Sequence, residues 1–249
     1  MTALARHLLS ATLSAGFALT GSAAFASGLQ VSPVSLTLRT SQSADGLWLS
    51  NTGNALVHAQ VRVYHWTQDG GKETLTASRG LVVSPPMLEI KPGDKQLIRV
   101  IRVGAPPNGD GAVEDAYRLA IDELPIDTHG KTGLQFVLHY SVPVFVEPVG
   151  TAVVAPQLQW TLRRDGEAAV LHVANGGNGH AQLAGLSFLD PAGHRIEING
   201  GLLGYVLPGT SASWMLKPLA AVFAGGGTLE ARVNGAPATQ TILPVDRAR

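Results

Sequence analysis

Alternation of apolar and polar residues with a period of two, interrupted by turn-forming clusters, runs through almost the whole chain. From position 57 to 63 every second residue is Val or Ala, while Gln60 and Arg62 fall on the other face. Clusters such as Asp69-Gly70-Gly71 and Pro92-Gly93-Asp94 separate such runs. This pattern is typical of short β-strands, and no segment of ten or more residues shows a convincing helical face. The sequence therefore predicts an all-β chain built as a β-sandwich.

The length of 249 residues is comfortable for two domains. Near Pro148-Val149-Gly150-Thr151 the composition shifts to more glycine and fewer charged residues. A second set of alternating runs follows this point. We therefore predict one domain over residues 27–148 and a second over residues 149–249.

The first 26 residues have the features of a secretory signal peptide. A positively charged start precedes an uncharged, mostly apolar run from Leu8 to Ala24, and Ala24-Phe25-Ala26 fits a signal-peptidase site. A membrane anchor is the alternative, but the run is short and is broken by Gly16 and Gly21. We predict a signal peptide over residues 1–26 and export of a protein that begins near Ser27.

Composition and motifs exclude several classes of function. The chain has no cysteine, which excludes disulfides, zinc-thiolate sites and cysteine nucleophiles. Lys+Arg and Asp+Glu number 18 each, so charge gives no reason to expect nucleic acid or an anionic membrane as a partner. Hydrolase and metalloprotease motifs are absent, and no histidine pair has metal-ligand spacing. His139 or His65 with Asp122 and Ser141 is a combination that chance readily supplies. We expect no enzyme activity, no metal and no cofactor.

One apolar run, residues 134–146, is unusually long for a strand. Its odd and even positions divide into two faces, with Leu134, Phe136, Leu138 and Tyr140 on the same one. Pro143 lacks an N–H and so fits an edge strand or a bulge. Two interpretations stay open on the pattern alone. The run is either an ordinary core strand or an exposed edge that adds to another chain by β-augmentation.

Several stretches, in order, resemble periplasmic chaperones of the chaperone–usher pilus pathway, the PapD-like family, and its archaic spore-coat and Csu-like branch in particular. The motifs that carry the resemblance are SPVSLTL (Ser32–Leu38), LWLSNTG (Leu47–Gly53), VSPPMLEIKPGDKQLIRV (Val83–Val100), YRLAIDELP (Tyr117–Pro125) and LQFVLHYSVPVFVEP (Leu134–Pro148). The second half matches the family only in size and class.

The resemblance implies two immunoglobulin-like domains set in an L or boomerang, with no enzyme activity and no cofactor. It also implies donor-strand complementation, in which the chaperone lends a long strand to a pilus subunit that lacks its last one. Leu134, Phe136 and Leu138 align with the donated side chains, and Tyr140 continues the subunit-binding face. The expected partners are pilus subunits and an outer-membrane usher in the periplasm, with self-association when no subunit is bound.

Two positions depart from the family pattern. Well-studied members bind the subunit's C-terminal carboxylate with an Arg on the first strand and a Lys on the long strand. The matching positions here are Ser35 and Pro143, and neither binds a carboxylate by charge. Glu147 replaces an Arg, which puts the usual interdomain ion pair with Glu123 in doubt.

The candidates for a replacement anchor are Arg99, Arg102 and Arg118, and Arg118 comes first because it lies within the best-matching motif.

Three alternative functions remain: an exported adhesin or carbohydrate-binding module, a hydrolase, and a family member with altered client binding. An adhesin or binding module would place aromatic residues on a surface. The four tryptophans (Trp48, Trp66, Trp160 and Trp214) lie in or beside predicted strands, which favours core positions.

Overall fold

The computed structural model describes residues 28–125, 137–150 and 153–243. Within them the secondary structure is strand throughout, apart from a single 3-10 turn at Ala220–Phe223, which confirms the all-β prediction. The strands that precede residue 148 are β1 (Leu29–Ser32), β2 (Leu36–Leu38), β3 (Ala44–Asn51), β4 (Val57–Asp69), β5 (Lys72–Ala77), β6 (Leu81–Ser84), β7 (Met87–Ile90), β8 (Lys95–Arg102), β9 (Asp115–Leu124) and β10 (His139–Val146). The strands that follow it are β11 (Leu158–Asp165), β12 (Ala168–Asn175), β13 (Ala181–Leu189), β14 (Arg195–Val206), β15 (Ser211–Leu219), β16 (Gly227–Val233) and β17 (Ala236–Ile242).

Strands β1 to β10 form a sandwich of two sheets, which we call the first sandwich. A four-stranded sheet has the order β1-β3-β8-β6, and a six-stranded sheet has the order β2-β10-β9-β4-β5, with β7 paired to β4. Alternate residues of both sheets meet in one buried core, for example Leu47, Leu49 and Ile98 of the first sheet and Leu119 and Val144 of the second. The period-two pattern of the sequence produces this core because it places apolar side chains on one face of each strand.

Strands β11 to β17 form the second sandwich. Its sheets have the orders β11-β12-β15 and β14-β13-β16-β17. Its core combines Leu171 and Val173 of the three-stranded sheet with Leu183, Phe188 and Leu229 of the four-stranded sheet. Within the described residues, no sheet contains strands from both sides of residue 148.

A separate buried cluster joins the two sandwiches. Trp66, Ala116 and Phe145 come from the first sandwich, and Tyr205 and Leu207 come from the second. Because Trp66, Ala116 and Phe145 lie on the outer face of the six-stranded sheet, this sheet buries apolar side chains on both of its faces at this end. We call this cluster the joint.

The tryptophans divide between core and surface. Trp66 is buried in the joint, and Trp160 and Trp214 pack partly buried against the second core. The expectation of a core position is wrong for Trp48, which is 41% exposed, with the Lys95 ammonium 4.8 Å from its ring centroid. Its neighbours Leu47 and Leu49 both point inward, so alternation along β3 forces Trp48 outward.

Candidate functional site: the open edge of strand β10 and the joint beside it

Strand β10 is paired on both sides along only part of its length. Every residue from His139 to Val146 is opposite a residue of β9 in an antiparallel ladder. On the other side, β2 pairs in parallel with Val144, Phe145 and Val146 alone. Among the described residues, the stretch from His139 to Pro143 has no strand partner on that side. Half of β10 is therefore an open edge of the kind that accepts a strand from another chain.

The inner face of β10 continues the hydrophobic core toward this open end. Val142, Val144 and Val146 are buried in the first core, as the alternation predicts. Leu138 and Tyr140 are only partly buried and pack against the same core at its margin. The core therefore reaches the open end of the strand with two large side chains that are incompletely covered. The other two residues predicted to bind a subunit, Leu134 and Phe136, lie outside the described residues.

Two acidic side chains of β9 fix the beginning of β10. The Leu138 N–H donates to Glu123 Oε2 at 3.1 Å, and the Glu123 N–H donates to the Leu138 carbonyl at 2.9 Å. Asp122 Oδ1 lies 2.6 Å from His139 Nδ1, and Asp122 Oδ2 accepts two hydrogen bonds from Arg62, at 2.7 and 3.3 Å. Burial acts to raise the pKa of Asp122, but the hydrogen bonds and charges of Arg62 and His139 outweigh it and lower that pKa.

His139 and His65, the two histidines considered for a hydrolase, each have an acidic partner but no hydroxyl nucleophile beside them in the described residues. His139 pairs with Asp122, and His65 Nε2 lies 2.7 Å from Asp115 Oδ1. In the described part of the chain neither imidazole has a hydroxyl within hydrogen-bond distance, so no Ser-His-Asp arrangement forms there. The same residues contain no cluster of three or more metal-ligating side chains, and no helix long and apolar enough to span a membrane.

The three candidate arginines lie in different surroundings. Arg99 is exposed on β8, in the four-stranded sheet, where it is opposite Gly46 and Ser84. Arg102 donates to the carbonyls of Gly104 and Gln42, at 2.6 and 3.2 Å, and so ties two loops together. Neither arginine belongs to the six-stranded sheet that contains β10.

Arg118 lies on that six-stranded sheet, directly beside β10. In the register of the sheet it is opposite Pro143 on β10 and Tyr64 on β4. Its guanidinium carbon is 3.7 Å from the centroid of the Trp66 ring and 5.0 Å from that of Tyr205. Burial lowers the pKa of Arg118, and the charge of Glu73 acts in the opposite direction. Within the described residues no acceptor hydrogen-bonds this guanidinium, and its contacts with the two rings hold it in place.

The residues that hold the two sandwiches together were not predicted from the sequence. The Gln68 side chain crosses the joint: Nε2 donates to the Tyr205 carbonyl at 2.9 Å, and Oε1 accepts from the Leu207 N–H at 2.8 Å. The buried Glu114 lies 2.6 Å from His180 Nδ1. These contacts differ from the interdomain ion pair of the family pattern, in which an Arg occupies the position of Glu147. The Glu123 carboxylate accepts a hydrogen bond from the Leu138 N–H. No sequence signal marks Gln68 or His180, since one polar residue on a strand face resembles any other.

A family model described as "Pili and flagellar-assembly chaperone, PapD N-terminal domain" matches residues 28–152. No curated protein sequence matches the chain significantly. Solved structures with the same fold include the CsuC–CsuE chaperone–tip subunit complex of archaic Csu pili from Acinetobacter baumannii. The sequence identity is 24% and the TM-score is 0.64, and the alignment covers 86% of this chain and 96% of the matched chain.

Two further structures share the fold. The Salmonella enterica SafA pilin complex with the SafB chaperone is 20% identical, covers 87% of this chain and 97% of that one, and has a TM-score of 0.62. The CupB2 chaperone of Pseudomonas aeruginosa is 18% identical, covers 85% of this chain and 98% of that one, and has a TM-score of 0.58. The chain is thus similar to these two-domain chaperones over most of its length.

Proposed function

This chain belongs to the family of pili and flagellar-assembly chaperones, and from that membership we propose that it binds pilus subunits by lending them strand β10. The single observation that carries the proposal is the open edge from His139 to Pro143, which lies beside an incompletely covered apolar face. A subunit strand added at this edge gains main-chain hydrogen bonds. It also covers Leu138 and Tyr140, and each large apolar side chain that becomes buried contributes about 1.5–3 kcal/mol.

The class of client is supported by the solved neighbours. Two of them contain a chaperone together with a pilin or a tip subunit. We propose that Leu134, Phe136, Leu138 and Tyr140 fill the groove of such a subunit. Leu138 and Tyr140 pack against the same core as Val142, Val144 and Val146. The period-two alternation of the sequence predicts that Leu134 and Phe136 continue this face.

We propose that Arg118 anchors the C-terminal carboxylate of the subunit. The position that carries a Lys in well-studied members is Pro143, and Arg118 is its direct neighbour on β9. Compared with the family pattern, the cation lies on the neighbouring strand, β9, at the position directly opposite Pro143. Its guanidinium, which lies over the Trp66 ring, has N–H donors without an acceptor in the described residues, and a carboxylate matches the planar donor geometry of a guanidinium.

The remaining parts of the proposal follow from family membership. The protein acts without catalysis and without a cofactor, in the periplasm, as two domains over residues 27–148 and 149–249. It passes the subunit to an outer-membrane usher, and the next subunit's extension drives release because it completes the sandwich better. Without a client, the open edge of β10 favours self-association.

Co-expression with the pilin-like product of a neighbouring gene tests the proposal. The wild-type chain is expected to give a one-to-one complex on size exclusion, and Phe136→Asp combined with Leu138→Asp is expected to abolish it. The matched control is Val137→Asp with Ser141→Asp, which places the same two charges on exposed positions of the opposite face. If the inner-face variant binds as well as the control, the donated-strand assignment is wrong.

A further inference from the structure

The Arg118 guanidinium lies in a corner between one aromatic ring from each sandwich. Trp66 of β4 is 3.7 Å away and Tyr205 of β14 is 5.0 Å away, measured from the guanidinium carbon to the ring centroids. The two rings are themselves edge-to-face, with centroids 5.3 Å apart and an interplanar angle of 83°. Tyr205 is only 7% exposed, so its position is fixed by packing as well as by polar contacts. The second sandwich therefore supplies one wall of the space that Arg118 occupies.

Two glutamines hold Tyr205 in this position. The Gln182 side chain donates to the Tyr205 hydroxyl at 2.7 Å and fixes the far end of the ring. Gln68 binds the backbone on both sides of Val206, through the Tyr205 carbonyl and the Leu207 N–H, and also accepts from the Thr210 hydroxyl at 3.0 Å. Gln68 is two residues from Trp66 on the same strand face. One short segment of β4 therefore contacts Arg118 through Trp66 and holds Tyr205 through Gln68.

We propose that Tyr205 completes the carboxylate site and determines the strength of carboxylate binding, and that Gln68 is a positioning residue that holds Tyr205 against Arg118. This inference rests on the proposed role of Arg118. A guanidinium held in the corner between the two rings has fewer alternative rotamers, so less entropy is lost when a carboxylate binds its N–H donors. A first sandwich separated from the second would keep strand β10 and lose this part of the site.

The test compares two forms of one client, the pilin-like product of a neighbouring gene. One form has its native C-terminus. The other carries two additional glycines, which move the carboxylate by about 7 Å. Each is titrated against the wild-type chain and against Tyr205→Leu, Gln68→Leu and Tyr205→Phe. The wild-type chain is expected to bind the extended client at least about tenfold more weakly, as the loss of a charge-assisted hydrogen bond implies.

Tyr205→Leu and Gln68→Leu are expected to weaken binding of the native client by a similar factor, with no further loss on extension. Tyr205→Phe keeps the ring and is expected to retain most of the discrimination. If Tyr205→Leu discriminates between the two clients as well as the wild type does, the inference is overturned. If the wild type binds both forms equally well, the Arg118 anchor and this inference both fail. If the wild type binds neither form, the proposed function itself fails, and the inference fails with it.

A second measurement separates positioning from folding. The chain has no cysteine, so Lys91→Cys with Thr239→Cys gives one spin-label pair, with one label in each sandwich at exposed positions. Gln68→Leu is expected to broaden the label-to-label distance distribution while the circular dichroism of the sheets is unchanged. The control Gln96→Leu, which changes an exposed glutamine of β8, is expected to leave that distribution as narrow as in the parent chain. An unchanged distribution in Gln68→Leu would remove its positioning role.

Discussion

Asn51 and Asn175 occupy equivalent places in the two sandwiches and make the same hydrogen bonds. Each is the last residue of an eight-residue strand. Each side-chain amide donates to the carbonyl four residues later, Ala55 in one case and Gly179 in the other. Each Oδ1 accepts from the N–H two residues later, at 3.0 Å in both cases. Each amide also donates to a carbonyl of a distant strand or its end. The same asparagine-centred turn therefore occurs in both sandwiches, and in each it provides hydrogen-bond partners for backbone N–H and C=O groups where the strand ends.

Replacing either asparagine should destabilise the sandwich to which it belongs. Asn51→Ala and Asn175→Ala each remove the side-chain amide that donates to two carbonyls, so we expect a loss of about 2–3 kcal/mol in the free energy of unfolding. Asn51→Asp should lose a comparable amount, because a carboxylate cannot donate to the Ile90 carbonyl. Urea denaturation measures these changes.

Asn54→Ala is the matched control for the asparagine variants, because Asn54 is exposed in the same turn. It should change the stability by less than about 0.5 kcal/mol. A loss in Asn51→Ala no larger than that in Asn54→Ala would show that the buried amide does not stabilise the turn.

The joint depends on Phe145, which lies on β10 together with Tyr140, one of the residues that we propose to bind a subunit. Its ring stacks on the His180 imidazole, with centroids 3.5 Å apart and an interplanar angle of 3°, and it also lies near Trp66 and Tyr205. Phe145→Ala opens a cavity at this point and should destabilise the first sandwich by about 3 kcal/mol or more. Tryptophan fluorescence during denaturation measures this loss of stability, since Trp66 is in the same cluster. Met215→Ala, at an exposed site of β15, should have almost no effect. Equal effects of the two variants would contradict the buried joint.

The Asp122 cluster should make stability depend on acid pH. Because the folded state lowers the pKa of Asp122, its ionised carboxylate stabilises the fold above the unfolded-state pKa of about 4 and loses that contribution as the pH falls through the lower folded-state value. Asp122→Asn should therefore be less stable than the wild type at pH 7, and the difference should shrink as the pH approaches 3. Denaturation of both proteins at the two pH values measures it. A difference of equal size at both would show that Asp122 does not act through its charge.

Much of the fold follows from alternation alone. In the run at residues 57–63, apolar residues alternate with Gln60 and Arg62, and this alternation predicted both a strand and the face on which Val57, Ala59 and Val61 are buried. The same rule would have placed Trp48 on the surface, since Leu47 and Leu49 flank it. The equivalence of Asn51 and Asn175 was not predicted, although residues 51–54 and 175–178 share the pattern Asn-x-Gly-Asn, because so short a polar pattern is common in turns.

The joint and the setting of Arg118 could not be predicted from the chain. Which outward residues of β4, β9 and β10 become buried depends on how the second sandwich docks, and periodicity along one strand carries no information about that. Gln68 and Tyr205 lie 137 positions apart in sequence, yet they are joined by a hydrogen bond. The motif resemblance directed attention to Arg118, and the register of the sheet then showed why it suits the role, by pairing it with Pro143.

Charge at position 118, and not charge on the sheet in general, should control client retention. Arg118→Gln removes the cation but keeps a polar side chain, and we expect at least about tenfold weaker binding of a subunit, since charge-assisted hydrogen bonds contribute about 1.5–3 kcal/mol. Arg99→Gln makes the same chemical change on the opposite sheet and should leave the affinity unchanged. Titration of a labelled subunit at low and high salt measures both, and Arg118→Gln should also reduce the salt dependence of binding. If Arg99→Gln weakened binding as much as Arg118→Gln, the anchor would lie on the four-stranded sheet, and the cation beside Pro143 would have no special role.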